Sequence, residues 1–121
     1  MTQDATLWHN PRCSTSRAAL ARLRAAGLEP RIVPYLETGF AEAELRGLLA
    51  AAGLTPPEAL RRKEPLAAEL GLLAPGIADE AILAAMLAHP VLVERPFVAT
   101  ARGTALCRPA ERIEALLPVS N

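Results

Sequence analysis

The nine residues His9 to Arg17, HNPRCSTSR, bring a cysteine, a histidine, three hydroxyl side chains and two arginines into one short stretch. Cys13 sits where a proline turn gives way to an amphipathic pattern. A cysteine at a helix start lies near the positive end of the helix dipole and near main-chain N–H groups that lack partners. Both favour the thiolate, which is the nucleophilic form. Arg12 and Arg17 add positive charge, and Ser14, Thr15 and Ser16 add donors. A loop of this kind at a helix N-terminus can also wrap a tetrahedral oxyanion. His9 is close enough to hydrogen-bond into the loop if the turn folds back.

Two blander readings remain open on these residues alone. Cys13 can be a small buried hydrophobe, and Cys-Ser-Thr-Ser can simply cap a helix. Position 16 is serine, so the loop is not a CxxC dithiol. The second cysteine, Cys107, lies in an apolar strand pattern and reads as core. The two cysteines match no metal-ligand spacing, so no metal is expected.

Three arginines stand at the ends of separate elements: Arg61 in ALRRKEP, Arg95 before Pro96, and Arg108 before Pro109. Guanidinium groups that converge from different elements bind oxyanions bidentately and never lose their charge. Each of them taken singly can equally be solvated surface charge. Arg22, Arg24, Arg46 and Arg62 are read as surface, and His89, before Pro90, as a helix-end cap.

The elements that must position these side chains follow from the pattern. Ala5 to His9 is an apolar run cut by Asn10-Pro11, a strand and then a turn. Ala19, Leu20, Leu23 and Ala26 recur at helical spacing, and Gly27 closes that helix. A second strand follows around Arg31 to Tyr35, and a strand-helix-strand connection places the two strands parallel. The middle reads as helical: about 41–52 ended by Gly53, Thr55 to about Lys63, Leu66 to Leu70, and ADEAILAAMLAH. VLVE, FVAT and TALC read as strands, the last two as an antiparallel hairpin, and Pro109 opens a final helix over AERIEALL.

The chain has 121 residues and a formal net charge of +0, which favours neither nucleic acid nor an anionic membrane as partner. No segment reaches the roughly 18 apolar residues of a membrane span. The N-terminus lacks a signal-peptide pattern, so the cytoplasm is the expected compartment. Thiols stay mostly reduced there, which disfavours a structural disulfide.

HNPRCSTSR, ALRRKEP, ERPFVAT and LCRP, in this order and spacing, resemble the glutaredoxin-dependent arsenate reductase family over about Ala5 to Leu117. The resemblance implies an α/β, thioredoxin-like three-layer fold. Its mixed four-stranded sheet would carry a helical insert, about 41–89, between the βαβ and ββα halves of a single domain, 1–121. It implies that Cys13 attacks arsenate while Arg61, Arg95 and Arg108 bind the oxyanion. His9 would help keep the cysteine deprotonated, and Ser16 would hydrogen-bond near the thiolate. Asn10 and Pro96, the latter expected to be cis, would be structural residues beside the site. The implied reaction reduces As(V) to As(III), with glutathione as co-substrate, glutaredoxin as partner and no tightly bound cofactor. Two other functions fit the residues: a glutathione-linked thiol-disulfide oxidoreductase, and a regulatory or binding module that docks through its helical insert.

Overall fold

The computed structural model describes residues 5–118. Among these residues are two compact units, one holding residues 5–35 and 95–118, the other Leu36–Glu94.

The first unit is built on a four-stranded mixed sheet in the order β2-β1-β3-β4. Strand β1 (Ala5–Trp8) leads into helix α1 (Ser14–Ala25), which returns the chain to β2 (Arg31–Val33). Strands β1 and β2 pair in parallel, Leu7 opposite Ile32, as the crossover requires. Strand β3 (Phe97–Thr100) runs antiparallel to β1, and β4 (Gly103–Leu106) antiparallel to β3. This is the thioredoxin-like α/β arrangement expected from the sequence. Its core gathers Ala5 and Leu7 of β1, Ala19 and Leu23 of α1, Val98 of β3, Cys107, Ile113 and Leu116.

Helix α1 stops at Gly27, whose φ of +85° suits a residue without a Cβ. The Gly27 and Leu28 N–H groups then close on the carbonyls of Arg24 and Leu23. The strand expected to reach Tyr35 ends at Val33, and Tyr35–Thr38 is instead a helical turn, α2, beginning just after Pro34.

The second unit holds α3 (Glu42–Ala52), α4 (Pro56–Ala59), α5 (Pro65–Glu69) and α6 (Asp79–Ala88). Here the sequence reading needs two corrections. Helix α4 does not run to Lys63, because Leu60 leaves it to form an antiparallel bridge with Val93. VLVE is not a strand: Pro90–Leu92 is a 3₁₀ turn, in which Leu92 and Val93 N–H groups donate to the carbonyls of His89 and Pro90.

A third correction concerns the C-terminal helix, which is 3₁₀ over Ala110–Leu116. Ala110, Ile113 and Leu116 are the buried residues, one every third position. Three residues per turn stacks them on one face. Burial of Ile113 and Leu116 at about 1.5–3 kcal/mol each outweighs the poorer hydrogen-bond geometry of 3₁₀.

Candidate active site

The loop between β1 and α1 is held by its own polar groups. His9 N–H extends the parallel pairing by donating to Val33 O at 2.9 Å. Asn10 then closes the turn twice: its carbonyl accepts from Cys13 N–H at 3.0 Å, and its Oδ1 accepts from Arg12 N–H at 2.9 Å. Such side-chain-to-backbone closure is the ordinary behaviour of asparagine in turns. The Arg17 guanidinium reaches back to Pro11 O at 2.8 Å and braces the outer edge.

Cys13 is the residue just before α1, in extended conformation, and its carbonyl accepts from Arg17 N–H at 3.0 Å. Burial alone would raise its thiol pKa. The Ser16 N–H, the Arg95 and Arg108 side chains and the Thr15 N–H favour the thiolate and more than offset burial. Together they bring it from an ordinary 9.0 to about 7. This makes the Cys13 thiolate far more accessible at neutral pH than in an ordinary cysteine.

Arg108 Nη1 lies 3.8 Å from Cys13 Sγ and 3.2 Å from Arg95 O. The two arginines are held together by the main chain as well, since Cys107 N–H donates to Pro96 O at 2.8 Å. Arg95–Pro96 is a cis peptide, as the resemblance implied, and so is Arg108–Pro109. The Nε and Nη1 donors of Arg95 are buried and have no hydrogen-bond partner among the described residues. Burying such donors without an acceptor costs about 1–3 kcal/mol apiece, and more for charged groups. An oxyanion beside the sulfur would satisfy them.

Ser16 is fully buried. Its Oγ lies 2.7 Å from His9 Nδ1 and accepts Asn10 N–H at 3.1 Å. Burial first, then the charges of Arg17 and Arg24, lower the His9 pKa from its ordinary 6.5 and favour the neutral ring. The Ser16 hydroxyl thus serves His9 and Asn10, while its N–H favours the Cys13 thiolate.

The structure thus brings His9, Asn10, Cys13, Ser16, Arg95, Pro96 and Arg108 into one unit. Arg61 belongs to the helical unit, where its Nη1 pairs with Glu94 Oε1 at 3.2 Å. Sequence reasoning missed Glu94, although an acid directly before Arg95-Pro96 was a signal it could have used. It also gave Arg12 a share in stabilising the thiolate. The structure shows Arg12 exposed. Cys107 is fully buried, and burial pushes its thiol up to about 11, as suits a core residue. Among the described residues no His, Cys, Asp and Glu group could hold a metal ion, and no helix is long and apolar enough to cross a membrane.

Comparison with known proteins agrees with this fold. The model of the ArsC family matches residues 8–116. The chain belongs to the ArsC family. An arsenate reductase of Rhizobium meliloti (strain 1021) is 51% identical over 113 residues, which cover 93% of this chain and 81% of that protein. An arsenate reductase of Escherichia coli is 42% identical over 115 residues, 95% of this ArsC chain and 82% of its relative. The solved arsenate reductase from Vibrio cholerae superimposes with a TM-score of 0.90 at 37% identity, covering 97% of this chain and 100% of that one.

Proposed function

We propose that this ArsC-family chain is an arsenate reductase that uses glutathione and glutaredoxin, with Cys13 as its one nucleophile. The observation that carries the reading is Arg95. Its buried guanidinium donors, without a partner among the described residues, belong to a side chain that helps to lower the Cys13 thiol to about 7. A positive, oxyanion-accepting group next to a thiolate suits attack on a tetrahedral oxyanion. The names of the similar proteins from R. meliloti, E. coli and V. cholerae support arsenate as that oxyanion.

In the proposed reaction the Cys13 thiolate displaces hydroxide from arsenate and forms an S–As bond, leaving arsenic as As(V). Arg95, Arg108 and the loop N–H groups hold the oxyanion's charge. Glutathione sulfur then bonds to Cys13 sulfur as the S–As bond breaks. The electron pair of that bond stays on arsenic, which leaves as arsenite, As(III). A glutaredoxin thiol removes the glutathione by exchange and restores Cys13. A single-cysteine loop suits this order, since the second thiol arrives from outside.

Arg61 belongs to the helical unit and is left out of this scheme. Its main chain is anchored by N–H donation to Leu92 O at 2.8 Å, three residues ahead of Arg95 in sequence. His9 and Asn10 act at one remove, through Ser16 and the turn. The test is arsenite formation with glutathione and glutaredoxin present, with arsenate as sole oxidant. Turnover that disappears in Cys13→Ser is expected. No turnover by the wild type, or undiminished turnover by that variant, rejects the reading.

A further inference from the structure

The loop ahead of α1 carries one arginine that the chemistry at the sulfur does not use. Arg12 is exposed, and its hydrogen bond to Asn10 Oδ1, at 2.9 Å, comes from its main-chain N–H. Its guanidinium has no partner among the described residues. The loop's other guanidinium, that of Arg17, is committed to Pro11 O, while Arg95 and Arg108 favour the thiolate. The main-chain bond fixes the base of the Arg12 side chain one residue from the nucleophile, a Cα spacing of about 3.8 Å. Neither the loop nor α1 holds an acidic residue, although an acid in the first turn would favour the helix. The loop is thus positive with no counter-charge of its own, which favours anionic reactants.

We propose that Arg12 recognises the thiol co-substrate, binding a carboxylate of glutathione while the glutathione sulfur attacks Cys13. The inference rests on the reading that glutathione is the attacking thiol. Glutathione differs from a simple thiol in carrying carboxylates, and guanidinium is the side chain best matched to that group. The reaction brings two anions to one sulfur in succession. The oxyanion comes first and takes the buried donors of Arg95. The thiol arrives second, from solvent, and Cys13 is only partly buried. An exposed cation one residue away meets that second anion without taking donors from the first. Such an exposed pairing adds little stability and shows instead as a preference between thiols.

The test reads thiol exchange at Cys13 with no arsenic present. Cys13 of the full-length protein is converted with dithiodipyridine to its neutral thiopyridyl disulfide, while Cys107, fully buried, stays a thiol. The attacking thiolate bonds to the Cys13 sulfur, and thiopyridine, the better leaving group, departs with the electron pair of the broken S–S bond. Its absorbance gives the rate. Glutathione is compared with mercaptoethanol, which has no carboxylate, in wild type, Arg12→Gln and Arg31→Gln. Arg31, exposed on β2, controls for the loss of one charge. Arg12→Gln should slow glutathione by about two- to fivefold at low salt, the scale of an exposed ion pair. Mercaptoethanol should change little, and the glutathione effect should shrink as salt is raised. Arg31→Gln should keep the wild-type ratio of the two rates. A wild-type ratio in Arg12→Gln, or the same loss in Arg31→Gln, overturns the proposal. If arsenate is not turned over but Arg12→Gln loses its preference for glutathione, the oxyanion reading falls and the carboxylate subsite stands. If turnover is intact and the preference unaltered, the subsite alone falls.

Discussion

Ser16 meets His9 through its hydroxyl, Oγ to Nδ1 at 2.7 Å, while its main-chain N–H lowers the pKa of the Cys13 thiol. The two halves of one residue are thus divided between holding the loop and stabilising the thiolate. Ser16→Ala separates them. It strands the buried Asn10 N–H and His9 Nδ1, and the variant should lose about 1–3 kcal/mol of stability in urea unfolding. The N–H survives the change, so iodoacetamide titration should still place the Cys13 thiol near 7. A thiol returned to the ordinary value of 9.0 would show that the hydroxyl itself stabilises the sulfur.

The same thiol gives a pH dependence with a definite sign. Its folded pKa of about 7 lies below the ordinary 9.0. The folded state therefore favours the thiolate, and this contribution is fully present above pH 9 and is lost as pH falls through 7. Alkylation of Cys13 should reach half its maximal rate near pH 7. Stability should fall between pH 9 and 7 in the wild type and be flatter in Cys13→Ser. His9, whose pKa is held below 6.5, contributes its own loss only below that value, so the window from 7 to 9 isolates Cys13.

Arg95 and Arg108 act on both the thiolate and the oxyanion, and their removal should show in both. Arg108→Ala deletes a side chain whose Nη1 lies 3.8 Å from Cys13 Sγ and 3.2 Å from Arg95 O. The thiol should move up toward 9, and arsenate protection of Cys13 should weaken about tenfold or more, the scale of a lost charge-assisted hydrogen bond. Arg95→Ala should do the same. It should cost less stability than a typical buried truncation, because two of the donors it removes have no partner to lose. If both variants leave the thiol near 7, the pairing of these side chains with the sulfur is wrong.

How much of this was legible beforehand depended on how far apart the determining residues lie. The loop was readable because Asn10, Cys13, Ser16 and Arg17 are near neighbours whose types dictate a turn and a helix start. Arg95 and Arg108 were readable by their places at strand ends. The early stop of α4 was not, because Leu60 leaves the helix for Val93, a partner far along the chain. VLVE has strand composition, yet Pro90 opens a 3₁₀ turn, and only Val93 pairs. The period of three in Ala110, Ile113 and Leu116 was visible in the sequence. It was absorbed into the α-helical pattern, which tolerates the same i, i+3 spacing. The direction of the Ser16 hydroxyl could not be read at all, since it depends on how the turn returns His9 and Asn10 to that side chain.

Cys107 supplies the last prediction, because it separates the chemistry of one thiol from the packing of the other. It is fully buried in the core with Leu7, Val98 and Ile113, and burial pushes its thiol up to about 11. At neutral pH it is a protonated small hydrophobe. In the native protein only Cys13 should react with iodoacetamide, one label per chain by mass spectrometry, and the second should appear only on denaturation. Cys107→Ala should leave arsenate turnover and the Cys13 titration unchanged, at a stability cost of about 1 kcal/mol for the lost buried volume. A large fall in turnover, with stability and the Cys13 titration retained, would mean that the second thiol takes part in the redox cycle. The proposed route through external glutathione and glutaredoxin would then need an internal step.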